Sequence, residues 1–290
     1  MKSRLKLNLV DYSTIAYLLI TTVLVLFFYN KIENPIFHIY MRIGFFGIII
    51  LSSYIRFKTN NSFIKLISNL VPLAFLGFFY NETASFNHLF FDNFDGYISS
   101  LELHIFGIQP SVVFSKFFHW KWFSELMNFG YFSYYLIIFG TPILFYYKEP
   151  RHFQQLLFVL LTTFYMYYIV FVIIPIVGPQ FYFKGDLSVF TPQGPFGYLI
   201  KFIQETGEVP TGAFPSSHVG ISILLGFYIF KYFRDLFKYV FFIILILILS
   251  TVYIKAHYVL DVFVAFIFTP IFYYTSNKLY ISVSKQNHGI

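Results

Sequence analysis

Phe153-Gln-Gln-Leu-Leu-Phe-Val-Leu-Leu-Thr-Thr-Phe-Tyr-Met-Tyr-Tyr-Ile-Val-Phe-Val-Ile-Ile-Pro-Ile-Val177 runs for 25 residues without one charged side chain. As a helix, a run this long rises about 37 Å, more than the roughly 30 Å of a bilayer's hydrocarbon core. Working outward, comparable apolar stretches lie near 13–29, 39–55, 63–80, 127–147, 216–233, 237–254 and 258–275. Only 11% of residues are charged and 58% are hydrophobic, whereas soluble domains carry about 25% charged residues. So few charges cannot cover a water-soluble protein of this size. The sequence therefore predicts an all-α fold, a polytopic transmembrane helical bundle of about eight spans. It divides into N-terminal transmembrane helices (1–80), an interfacial segment (81–126) and a catalytic transmembrane core (127–290).

The chain contains no cysteine, which excludes disulfides, thiolate metal sites and a cysteine nucleophile. The first apolar run, Thr14 to Tyr29, lacks a small-residue cleavage site and reads as a retained span. A net charge of +7 here reflects lysines and arginines flanking spans rather than a nucleic-acid surface. Counted along the predicted spans, one membrane face receives Lys2, Arg4, Lys6, Arg56, Lys58, Lys65, Lys148, Arg151, Lys231, Arg234, Lys238, Lys278 and Lys285. These are 13 of the 20 basic residues, so this face should be cytoplasmic, with both termini on it. The expected setting is a multi-pass protein of a bacterial inner membrane.

Two longer segments then fall outside. In 81–126, Ser111 to Leu126 reads as one interfacial amphipathic helix capped by Ser111. Segment 178–213, punctuated by Gly178, Pro179, Gly185, Pro192, Gly194 and Pro195, should form an irregular cap over the mouth of the bundle.

Polar groups inside spans are costly, so the exceptions carry information. The sixth stretch opens Gly212-Ala-Phe-Pro-Ser-Ser-His-Val-Gly220. Pro215 suits a first helical turn, and Ser216 and Ser217 add hydroxyls beside unpaired N–H groups, a favourable setting for an anion. His218 sits within it as a candidate proton donor; the simpler alternative is a cap with an interfacial histidine. The eighth stretch opens Ala256-His-Tyr-Val-Leu-Asp-Val262. His257 and Asp261, four apart, would share one helix face, the carboxylate accepting one imidazole N–H and leaving the other nitrogen to attack. The simpler alternative here is an ordinary histidine–aspartate pair at a helix end.

Together these openings resemble the type 2 phosphatidic acid phosphatase superfamily over roughly residues 125–277. Its P-S-x-H motif matches Pro215, Ser216 and His218, and its S-R-x5-H-x3-D motif matches Ser250, His257 and Asp261. The resemblance implies His257 as the nucleophile that forms a phosphohistidine, Asp261 as its orienting group, His218 as acid and base, and no metal or other cofactor. Two arginines of the pattern are absent: Thr251 fills one position, and Gln180 stands near the other. Phosphate would then be held by Ser216, Ser217, Gln180 and Lys255, with Lys184 also nearby. The Gly178-Pro179 turn, Phe106-Gly-Ile-Gln-Pro110 and the run from His257 to Val262 are similar to the inositol phosphorylceramide synthase branch. A phosphodiester carries less negative charge than a monoester and needs fewer fixed cations.

The resemblance implies a membrane lipid phosphotransferase that moves a phosphorylated headgroup between lipids, its partners a phospholipid substrate, a lipid alcohol acceptor and the membrane. The alternatives are a lipid phosphate phosphatase and, in another class, a non-enzymatic transporter or scaffold. The last would place ionisable groups at the bilayer midplane, whereas here they are expected at span ends.

Overall fold

The computed structural model describes residues 7–184 and 192–288. Lys2, Arg4, Lys6 and Gly185 lie outside them. The described residues contain helices and no strand. Asn8 caps α1 (Leu9–Phe27) through a capping box with Asp11, and Pro35 opens α2 (Pro35–Lys58). The third apolar stretch is two helices, α3 (Ser62–Ala74) and α4 (Leu76–Ala84). Pro72 has no N–H to offer the carbonyl four residues back. That carbonyl, on Ser68, instead accepts from the Arg56 guanidinium at 2.7 Å.

Segment 81–126 holds α5 (Asp95–Phe106) and α6 (Pro110–Phe117), and α7 runs from Lys121 to Lys148. The single helix expected over Ser111–Leu126 is thus broken. Pro110 occupies its first turn, Gln109 rather than Ser111 is the cap residue, and the Tyr253 hydroxyl takes the Phe118 carbonyl where α6 ends. The proposed boundaries at 80/81 and 126/127 fall inside α4 and α7.

Next come α8 (Pro150–Ile173), the short α9 (Pro179–Tyr182) and α10 (Pro195–Gly207), so part of the expected irregular cap is helical. The chain ends with α11 (Ser217–Tyr232), α12 (Arg234–Tyr253) and α13 (Val259–His288). Seven helical stretches are long and apolar enough to cross a membrane, α3 and α4 counting together as one. The remaining candidate, α11, has 16 residues and spans only about 24 Å. It packs among α7, α8, α12 and α13, with Phe227 and Phe230 turned outward.

Helix α8 is the hub: 78% of its apolar window is buried, and α1, α4, α7, α11 and α13 all pack on it. The outer helices turn Leu19, Ile43, Phe63 and Phe242 outward, an apolar belt that suits lipid contact. The N-terminal helices also bury charge. Arg42 forms a two-pronged pair with Glu82 at 2.7 and 3.2 Å, Glu82 also meets His38 at 2.7 Å, and Asp11 pairs with Arg56. These groups lie within about the first or last two turns of their helices, near the span ends. At one end of the bundle α8 and α12 finish while α7, α11 and α13 begin, which brings the two histidine-bearing segments together.

Candidate active site

Helix α11 begins one residue later than the sequence suggests. Ser216 is its cap residue, accepting from the Val219 N–H at 3.3 Å, so Pro215 precedes the helix rather than opening it. The Ser216 N–H donates to the Asp261 carbonyl at 3.1 Å, which ties the start of α11 to the first turn of α13. Of the two serines expected to meet phosphate, Ser216 uses its hydroxyl oxygen as the cap acceptor, which leaves its O–H as a donor. Ser217 lines a cavity together with His218.

His257 lies in the turn between α12 and α13, not on a helix. Its Nδ1 is 2.7 Å from the Ala213 carbonyl oxygen and 3.6 Å from Asp261 Oδ2. A carbonyl can only accept, so Nδ1 carries the proton and Nε2 keeps its lone pair. The predicted Asp261–His257 hydrogen bond is thus replaced by one to a backbone carbonyl. Because the imidazole precedes the helix, the Asp261 carboxylate folds back to the Tyr258 N–H at 2.7 Å, as in the return half of a capping box.

His257 Nε2 accepts from His218 Nδ1–H at 3.1 Å. His218 is held between two rings, Tyr131 with centroids 4.7 Å apart and Tyr134 at 4.3 Å. Burial pushes the His257 imidazole down to about 4, against the opposing influence of the Ala213 bond and the Glu208 charge. At neutral pH this imidazole is uncharged.

Two carboxylates of α5, to which the sequence assigns no role in the site, clasp this end of the bundle. Asp95 accepts from the Val177 and Gly178 N–H groups at 2.7 and 2.9 Å and from the Tyr258 hydroxyl at 3.1 Å. Glu102 accepts from the Leu260 N–H at 3.0 Å, near the start of α13. Both are fully buried. Burial raises Asp95 above the ordinary carboxylate range and takes Glu102 to about 7. Their seven-residue spacing, two turns along one helix face, was the available signal. Gly178, at φ +90, closes the packing: a Cβ there would lie 2.7 Å from the Ala256 carbonyl oxygen and 3.1 Å from Ala213 Cβ.

The expected phosphate ligands Gln180 and Lys255 lie beside the site in other roles. Gln180 donates its backbone N–H to the Lys255 carbonyl at 2.9 Å and its side-chain amide to Glu208, while its amide oxygen accepts from Gln204 at 2.7 Å. Lys255 is buried and adopts φ +68; burial, then the charge of Lys116, lowers its ammonium below the ordinary lysine value. Lys184 is exposed. The Tyr131 hydroxyl donates to Glu208 at 2.7 Å, and no motif in the sequence marks either residue. A cavity of about 390 Å³ runs from Ser217, His218 and Glu208 past Tyr80 and Tyr134 to the apolar walls of Leu73, Leu76 and Phe164. Its polar end meets His218, whose Nδ1 reaches His257, and its apolar end is suited to an acyl chain. Among the described residues, no group of three or more His, Cys, Asp or Glu side chains is arranged to hold a metal ion.

A family model described as the PAP2 superfamily matches residues 97–275, which takes in Glu102 and both histidines and begins earlier than the expected 125. No curated protein and no solved structure matches the chain.

Proposed function

From the premise that this chain belongs to the PAP2 superfamily, and so is a membrane enzyme of phosphatase type directed at lipid phosphates, we propose a lipid headgroup phosphotransferase. His257 Nε2 attacks phosphorus in a phospholipid. The bond from phosphorus to the diacylglycerol oxygen breaks, and His218, which takes up a proton from water as the anionic phosphate enters beside it, gives that proton to the oxygen. A lipid alcohol then attacks the phosphohistidine, its proton passes to His218, and the phosphorus–nitrogen bond breaks. The Ala213 carbonyl holds Nδ1–H throughout, while Asp261 stabilises the positive charge that grows on the imidazole.

The observation that carries the nucleophile assignment is the lone pair that the Ala213 bond fixes on His257 Nε2, which accepts from His218 3.1 Å away until a phosphoryl group enters between them. Transfer from a diester, as in the inositol phosphorylceramide synthase branch, is supported by Gln180 and Thr251 at the arginine positions and by the Glu208 carboxylate nearby. These are poor surroundings for a doubly charged monoester. Lys255 with Lys116 close to it favours a second reading, hydrolysis of a lipid phosphate such as phosphatidic acid or a polyprenyl phosphate.

Purified protein given labelled phospholipids, with and without a lipid alcohol, separates the two. Diester consumption that depends on the alcohol is the expected result. Rapid phosphate release from phosphatidic acid would replace the transferase with the phosphatase. In either case His257→Ala should abolish turnover and the trapped phosphoenzyme, whereas retained activity removes the mechanism.

A further inference from the structure

Glu208 is out of place beside a phosphoryl site. Its two oxygens accept from the Tyr131 hydroxyl and the Gln180 amide, both neutral donors that leave the negative charge in place. No ion pair neutralises it among the described residues. One tyrosine connects it to the chemistry, since the Tyr131 ring lies against His218 while its hydroxyl holds Glu208. The carboxylate thus stands about a tyrosine's length from the imidazole, in the same cavity. A fixed negative charge there repels an incoming phosphate unless the substrate brings its own cation. Half-buried Tyr80 and Tyr135 line the cavity beside it, and tyrosine faces attract cations through the ring quadrupole.

Resting on the phosphodiester reading above, we infer that the Glu208 corner is a headgroup subsite selecting a headgroup with a positively charged nitrogen, a primary or quaternary ammonium joined to the phosphate by a short linker. The phosphate then meets His257 and His218 while the ammonium meets the carboxylate and the tyrosine rings. A neutral polyol fits this corner less well. It would leave the Glu208 charge unpaired, and it needs several free donors, whereas the Gln180 amide is committed at both ends and the Tyr80 hydroxyl is donated to the Thr211 carbonyl. The missing arginines and the added carboxylate describe one adaptation: the positive charge that neutralises the phosphate has moved from the protein to the substrate.

The test uses the full chain in nanodiscs with a lipid alcohol present. It compares phosphatidylcholine and phosphatidylethanolamine with phosphatidylinositol and phosphatidylglycerol at equal mole fraction. The ammonium lipids should be favoured about tenfold in kcat/KM, the scale of one desolvated cation–π and charge contact. Glu208→Gln, isosteric and still able to accept from Tyr131, should erase most of that preference through KM. Tyr135→Phe should keep the preference and Tyr135→Leu should weaken it about fivefold, since the ring and not the hydroxyl matters. Glycerophosphocholine, the same headgroup without acyl chains, should turn over poorly; turnover equal to the lipid's would overturn a lipid subsite. Binding of the same four lipids to His257→Ala protein separates this inference from the one beneath it. Selective, Glu208-dependent binding without turnover of any diester upholds the subsite and rejects the transferase. Diester turnover indifferent to headgroup, or a preference surviving Glu208→Gln, rejects the subsite and leaves the transferase standing.

Discussion

Asp261→Asn measures how much of the orientation of His257 comes from a carboxylate. In a catalytic triad the equivalent change costs about 10⁴-fold, because it reverses the tautomer. Here Nδ1–H is held by the Ala213 carbonyl, and an asparagine oxygen can still accept from the Tyr258 N–H. We therefore expect a loss of about ten- to a hundredfold in kcat, the charge contribution alone, with the protein still folded. A 10⁴-fold loss would restore the orienting role to Asp261. The His257 imidazole, held down to about 4 by burial, also sets a pH limb. As pH falls, kcat/KM should hold through the ordinary histidine value and drop only near pH 4; a limb near 6.5 would mean that the ring is solvated in the working enzyme. Both histidines were legible in the sequence because P-S-x-H and H-x3-D bring their chemistry in adjacent letters. Ala213 was not, because its contribution is a backbone oxygen and any residue has one.

Helix α5 shows at the scale of elements how the site is held. Asp95 joins the loop after α8 to Tyr258, and Glu102 holds the start of α13. An acid raised to about 7 by burial binds its proton more readily folded than unfolded. It therefore adds stability that is present in full below its ordinary value, near 4.5, and is lost as pH rises through 7. Glu102→Gln keeps the acceptor and removes the titration. The variant should thus gain on the wild type as pH climbs from 5 to 8 in thermal unfolding; a pH-independent difference would show Glu102 charged throughout. Within α11, a Cβ on Gly220 would collide with the Tyr167 hydroxyl and come within 2.6 Å of Thr269 Oγ1. These two hydroxyls bond each other at 3.0 Å. Gly220→Ala should cost about 1–3 kcal/mol, read as a lowered Tm, and an unchanged Tm would mean that α11 shifts freely among its neighbours. In sequence this glycine is merely a poor helix former.

Across the whole molecule, the helix directions sort the basic residues. Arg56, Lys58, Lys65, Lys148, Arg151, Lys231, Arg234 and Lys238 all lie at helix ends opposite the histidine pair. By the positive-inside tendency we propose that this end is cytoplasmic and that the active site faces outward. A reporter inserted after Lys238 should behave as cytoplasmic and one near Lys184 as external; the reverse result sinks the topology. The N-terminal helices, outside the family match, also reach the site. Asn87 donates to the Pro210 carbonyl at 2.8 Å, and Thr83 meets Thr211 at 3.0 Å, just before the Ala213 that orients His257. The paired charges of Arg42 and Glu82 anchor α4 beneath that contact.

The sequence alone determined the class of the molecule, the positions of its spans and the two histidines. Those follow from local properties: how long a run avoids charge, and which chemically distinctive side chains stand a few residues apart. Only the tertiary structure decided that a carbonyl 44 residues away in sequence directs His257, that Asp95 and Glu102 clasp two loops, and that Gln180 serves Glu208. A backbone oxygen has no signature in the sequence. The part a buried carboxylate plays depends on the donors that folding brings to it, here from helices that meet only once the chain has packed around α8.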